Sequence, residues 1–228
     1  TTFDQLIDSP IEAGPHQSHP FEVLGIPHRW VTWFSDPACA VWFADRYPTF
    51  FEVVKQVCLA CCRLMGELRP ASSDYLFVLH LLDEGYGGLE HDDSTVLVYG
   101  RRNLETSSGY RKLLQLVAHE YFHQWNVRRL TPRELRPVDY NRASVIPTLW
   151  FAEGVTSYFD QLLPLTAGLS TPQDYFSDLG EDLSRYLLTP GRQVQTLRES
   201  SEEAWVKLYK ADAYYASSQV SYYLKGAV

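Results

Sequence analysis

The feature that most constrains this chain is a helix obliged to carry three polar, chemically capable side chains among apolar ones. Over residues 110–125 the apolar positions Leu113, Leu114, Leu116 and Val117, then Tyr121, Phe122 and Trp125, recur as on a buried helix. Set within them are His119, Glu120 and His123. Histidines four residues apart project from one helix face. Two imidazoles then meet near one point, as a tetrahedral zinc ion requires. Glu120, beside the first histidine, need not ligate and is placed to take a proton from a water there. A site of this type uses three protein ligands and keeps one position open. A second element must therefore face the helix with the third ligand. No histidine follows His123 and no His-x-x-Gly-x-x-His continuation is present, so a downstream ligand must be acidic. Glu153 is the best candidate. It lies in the strongly apolar segment 149–159, where an unpaired carboxylate would be costly and a metal would compensate.

The rest of the chain reads as strands first and helices later, which predicts an α+β fold with a small sheet in the N-terminal half and a mainly helical C-terminal half. Residues 9–20 are rich in Pro, Gly and His and read as a loop. Residues 21–34 read as strand, turn, strand around Gly25 and Pro27. A helix is expected from about Pro48 to Leu68, with proline at its first position and Phe50, Phe51, Val53, Val54, Val57 and Cys58 at helical spacing. The apolar run 75–82 reads as a buried strand, the glycines at 85, 87 and 88 break the pattern, and 94–99 reads as another strand. Helices are expected at 110–125, 148–163, 172–188, 202–209 and from about 215.

A length of 228 residues suits one large domain that buries its core without disulfides. The net charge of −8 argues against a nucleic-acid partner. No apolar run is long enough to span a membrane. Cys58, Cys61 and Cys62 fall in one apolar helical stretch with no second pair to complete a zinc cage; with Cys39 they read as buried reduced thiols, which leans towards a reducing, cytoplasmic setting. The arginines of the 126–147 segment (Arg128, Arg129, Arg133, Arg136, Arg142) are expected to pair within an acidic chain rather than form a basic patch.

The stretches His119-Glu-Tyr-Phe-His-Gln-Trp-Asn-Val-Arg-Arg129, Trp150-Phe-Ala-Glu-Gly-Val-Thr-Ser-Tyr158 and Ser221-Tyr-Tyr-Leu-Lys-Gly226 together resemble the glycyl aminopeptidase family of zinc peptidases. The resemblance runs from about Asp8 to the end of the chain. It implies a zincin-like, thermolysin-like catalytic domain over residues 1–228, with residues 1–20 as a linker from a preceding β domain and with further helices and a PDZ domain beyond the chain. It assigns one Zn2+ to His119, His123 and Glu153. Gly87-Gly-Leu-Glu-His91 is similar to the Gly-x-Met-Glu-Asn element of the wider aminopeptidase group. That similarity implies that Glu90 binds the substrate's free α-amine and that the backbone at Gly88 lines the peptide; Leu89 and His91 depart from the pattern. Tyr223, in an element similar to Tyr-Glu-Lys-Gly, is implied as the donor to the oxyanion. The expected activity is removal of N-terminal residues, small ones such as Gly or Ala, from peptides with a free N-terminus. An endopeptidase on the same scaffold and a non-catalytic PDZ-linked interaction protein are the alternatives.

Overall fold

The computed structural model describes residues 2–34, 36–66, 70 and 72–228. The chain opens with helix α1 (Phe3–Asp8), capped by Thr2 and Gln5. Strands β1 (Gln17–Val23) and β2 (Ile26–Phe34) follow as an antiparallel hairpin. Its two turn residues, Leu24 and Gly25, both adopt positive φ (50° and 77°), the twist that a two-residue hairpin loop demands. Helix α2 (Pro37–Arg46) starts where Asp36 accepts from the Ala38 amide and Pro37 takes the first position; α3 (Phe50–Leu64) follows. Then come β3 (Tyr75–Leu82), β4 (Tyr86–Glu90) and β5 (Ser94–Gly100). A 3-10 turn at Arg101–Glu105 leads into α4 (Ser107–Phe122), whose first turn is capped by Thr106. Beyond an irregular stretch, a wide π-helical turn (Trp150–Gly154) runs directly into α5 (Val155–Thr166). Helices α6 (Pro172–Leu188), α7 (Leu197–Glu202), α8 (Tyr215–Ser218) and α9 (Tyr222–Ala227) complete the chain.

Among the described residues the strands form one mixed five-stranded sheet in the order β1-β2-β3-β5-β4. The central pairs, β2 with β3 and β3 with β5, are parallel; both edge strands pair antiparallel. Helices α3 and α4 cover the sheet. Trp30, Phe77, Leu79, Leu97 and Tyr99 of the strands share one core with Val54, Val57, Cys58, Cys61, Leu113, Val117 and Tyr121 of the helices. The Phe77 ring stacks between Trp30 and Tyr121, with centroids 5.1 and 5.7 Å away. Cys39, Cys58, Cys61 and Cys62 are buried free thiols, and burial pushes all four up from the ordinary thiol range. No helix among the described residues is long and apolar enough to cross a membrane.

The α+β architecture and the strands at 75–82 and 94–99 match the sequence reading, and α6 spans the expected 172–188. Elsewhere the structure differs. Residues 9–20, expected as a loop, hold the start of β1 from Gln17, and helix α1 precedes them. The single helix expected from Pro48 is preceded by α2; α3 begins at Phe50, so Pro48 precedes it, and the expected end at Leu68 lies outside the described residues. The glycine-rich break at 85–88 is largely strand β4, because an edge strand paired on one side tolerates glycine where another group approaches closely. The helix expected at 202–209 is not formed there: α7 starts at Leu197, where Thr196 and Glu199 form a capping box, and ends at Glu202, after which the chain runs in turns. In the 126–147 segment, Arg128 pairs with Asp8 and Asp92 and Arg142 with Asp139, while Arg129 lies over the Trp125 ring.

Candidate active site

Helix α4 carries His119 and Glu120 in its last turn. His123 follows at the helix end, where the backbone is still helical (φ −61°, ψ −14°), so the two imidazoles share one face. Their rings stand 4.8 Å apart and nearly perpendicular. Glu153 reaches them from the π-helical turn: its Oε2 lies 3.1 Å from His119 Nε2 and 3.3 Å from His123 Nε2. The ligand atoms of these three residues all fall within 4.8 Å of one another. A π-helical turn is rare and concentrates at functional sites. Here Asn126, three residues past His123, donates its side-chain amide to the carbonyls of Phe151 and Ala152 and to Thr156 Oγ1. That side chain ties the wide turn to the end of α4.

The remote ring nitrogens are also occupied. His123 Nδ1 donates to the Asn126 carbonyl at 2.6 Å, and His119 Nδ1 donates to Asp160 Oδ2 at 2.8 Å. With a proton held on each Nδ1, each neutral ring presents the lone pair of its Nε2 to an oxygen of Glu153 that also only accepts. Such a convergence of acceptors needs positive charge, either ring protons or a metal ion. The electrostatics say the same. Burial pushes both imidazoles down, yet hydrogen bonds to Asp160 and Glu153 outweigh it and lift His119 well above its ordinary value. For His123 the charges of Glu153 and Glu90 outweigh burial and lift it to about 9. Burial raises Glu153, but His123 and His119 overcome that and hold it well below the usual carboxylate range. Burial drives Asp160 up to about 6 against the pull of His119.

Glu120 is buried, and among the described residues its Oε2 has no hydrogen-bond partner. Burial raises it to about 7, opposed by His119 and His123 and assisted by Glu90 and Glu153. A carboxylate of that kind titrates near neutrality, as a general base should. Strand β4 forms the wall opposite. A Cβ built at Gly88 would lie 2.2 Å from Glu120 Oε1, so the glycine is what lets strand and carboxylate meet. Glu90, at the strand's end, places a carboxylate oxygen within 4.8 Å of Glu120 and of His123. His91 turns its Nδ1 towards Asp8, 3.7 Å away, rather than towards the histidine pair.

Of the adjacent tyrosines on α9, Tyr222 is buried and Tyr223 approaches the cluster, its ring 6.2 Å from that of His119. Burial and the Glu153 charge raise Tyr223 well above the ordinary phenol value, so its hydroxyl stays protonated and able to donate. Every sequence-predicted site residue thus comes to one place. Three participants carried no expectation: Asp160, Asn126 and Thr156. Asp160 stands seven residues after Glu153, a spacing that puts both on one helix face but does not say which ring Asp160 meets. For Asn126 the signal was only a polar side chain in an apolar run.

The family model for M61 glycyl aminopeptidase matches residues 112–228. A crystal structure of an aminopeptidase N family protein from Idiomarina loihiensis is similar at 34% identity with a TM-score of 0.83, over 94% of this chain and 36% of that one. This chain therefore spans little more than a third of that protein's length. No curated protein matches it.

Proposed function

The chain belongs to the M61 glycyl aminopeptidase family, and from that premise we propose that it is the catalytic unit of a zinc-dependent aminopeptidase with a zincin-like fold. The observation that carries this reading is the convergence of His119 Nε2, His123 Nε2 and Glu153 Oε2 while both Nδ1 atoms are engaged elsewhere. That donor set, two imidazoles and a carboxylate, suits zinc and fits a catalytic centre with one position left open. His119, His123 and Glu153 would hold the ion. Bound there, zinc would supply Lewis acidity to a water and to the scissile carbonyl.

The chain's own residues do the rest. Asp160 and the Asn126 carbonyl keep the two imidazoles in the tautomer that presents Nε2. Glu120 takes a proton from the attacking water at its unpartnered Oε2 and delivers it to the leaving amine. The Tyr223 hydroxyl donates to the oxygen that gains charge. Glu90 binds the α-amine of the substrate and so restricts cleavage to the first residue, and the β4 backbone at Gly88 lines the peptide. A preference for N-terminal glycine or alanine follows from the family resemblance. Glu120→Gln is expected to lower kcat by about 10²–10⁴-fold while metal content stays at one ion per chain. Normal turnover in that variant would sink the assignment.

One observation favours a second reading. Among the described residues the outer edge of β4 is unpaired in the sheet, with Tyr86 and Leu89 exposed, and could accept an extended peptide running past the site, as an endopeptidase requires. Equal cleavage of a peptide and its N-acetylated form would support that reading over the aminopeptidase.

A further inference from the structure

Glu90 sits at the end of a five-residue edge strand whose strand partner, among the described residues, is β5 alone. A carboxylate in that place keeps a fixed position only if the backbone on both sides of it is anchored. Gln124 holds the carbonyls of His91 and Asp92 from the end of α4. Two further contacts flank Glu90 itself. Its own carbonyl accepts from Arg128 Nη2 at 3.2 Å, and the amide of Asp92 donates to Asp8 Oδ2 at 2.8 Å. Both lead to one side chain, because Asp8 Oδ1 accepts from the same Arg128 Nη2 at 2.6 Å. Asp8 ends helix α1, 84 residues from Asp92 and 120 from Arg128 in sequence.

Arg128 has little else to hold it. Among the described residues its Nε is buried with no hydrogen-bond partner, and its other ion pair runs 3.4 Å to Asp92, whose side chain is 68% exposed. The Asp8 carboxylate is thus the main anchor of a partly buried guanidinium that lies beside Glu90. It also balances the charge of that guanidinium. Without Asp8, Arg128 would be left to pair with Glu90 and to compete with any cation offered to it.

We propose that Asp8 is a positioning residue for Glu90, fixing the strand end on both sides and keeping the Glu90 carboxylate available to the substrate's α-amine. The proposal rests on the reading of Glu90 as the amine anchor. Its test uses the full chain loaded with zinc, with alanyl-p-nitroanilide and its N-acetyl form as substrates. The wild-type protein comes first: no preference for the free amine would overturn the aminopeptidase reading, and the Asp8 proposal with it. Given that preference, Asp8→Asn is expected to raise KM for the free-amine substrate about tenfold, the scale of one charge-assisted contact, with kcat within about twofold. Asp8→Glu is expected to recover part of the lost affinity. If Asp8→Asn does not fold, Arg128→Met decides, since an uncharged side chain of similar length can donate to neither Asp8 nor the Glu90 carbonyl and must raise KM in the same sense. Unchanged KM in the folded variant, or a fall in kcat with KM unchanged, overturns the proposal.

Discussion

At position 88 the side chain is a single hydrogen, and a methyl group there would meet Glu120 Oε1 at 2.2 Å and its Cδ at 2.3 Å. Those atoms are the movable end of a side chain, so Gly88→Ala leaves the fold intact and displaces the carboxylate instead. Misplacing a reacting group by about 1 Å costs on the order of 10²-fold in rate. The variant is therefore expected to keep its unfolding temperature and metal content and to lose about 10²-fold in kcat/KM. A steady-state assay paired with thermal unfolding checks this, and full activity in the variant would remove Gly88 from the site. Sequence pattern alone marked Gly88 as a break; the contact that makes glycine necessary lies between residues 32 positions apart.

Among the elements, the junction of the π-helical turn with α9 decides where two site residues sit. The turn carries Glu153 and α9 carries Tyr223. They meet backbone to backbone: a Cβ at Gly226 would lie 2.8 Å from the Trp150 carbonyl oxygen and 2.9 Å from Gly154 Cα, and a Cβ at Gly154 would lie 2.5 Å from Gly226 Cα. Backbone cannot yield as a side-chain tip does, so Gly226→Ala must push the two elements apart. Overpacking of this kind costs about 1–3 kcal/mol. The expected outcome is a lower midpoint in denaturant together with a metal affinity weakened by about tenfold or more, because Glu153 moves with its turn. Unchanged midpoint and affinity would show that α9 does not seat on this turn.

For the whole molecule, the site's charges predict how stability depends on pH and metal. His123 is lifted from 6.5 to about 9 in the metal-free fold, so the stability it contributes is fully present below 6.5 and lost as pH rises through 9. Glu120 is raised from 4.5 to about 7 and Asp160 from 3.8 to about 6, so ionising them as pH rises also removes stability. At the acid end the order reverses. Asp178, buried and gripped by Arg111 and Gln115, is held below 3.8, and its contribution disappears only as pH falls through that lowered value. The metal-free protein should be most stable between about pH 4 and 5 and lose unfolding temperature steadily towards pH 9. A bound cation replaces the ring protons and removes much of that loss, so the stabilisation by metal should grow with pH. Thermal unfolding of chelated and zinc-loaded protein across pH 5–9 tests this, and parallel curves for the two forms would contradict it.

Sequence by itself determined what repeats locally. The four-residue spacing of His119 and His123, the apolar runs of β3 and β5 and the apolar face of α4 are written in neighbouring residues, because helix and strand periods act over a few positions. Glu153 was legible for a related reason, as a carboxylate in an apolar stretch that would be costly without a partner. Helix α1 and strand β4 were not legible. A six-residue helix with no buried residue and a glycine-rich edge strand carry almost no periodic signal, and each is held by partners distant in sequence: Asp8 by Arg128, Gly88 by its fit against Glu120. The assignments of Asp160 to His119 and of Asn126 to the π-helical turn likewise belong to the tertiary structure. Hydrogen bonds between distant segments are chosen by how the elements pack, and no local pattern records that choice. The pair of histidines on α4 was thus visible in the chain itself, whereas the orientation of its rings was decided only when α4, the π-helical turn and α5 came together.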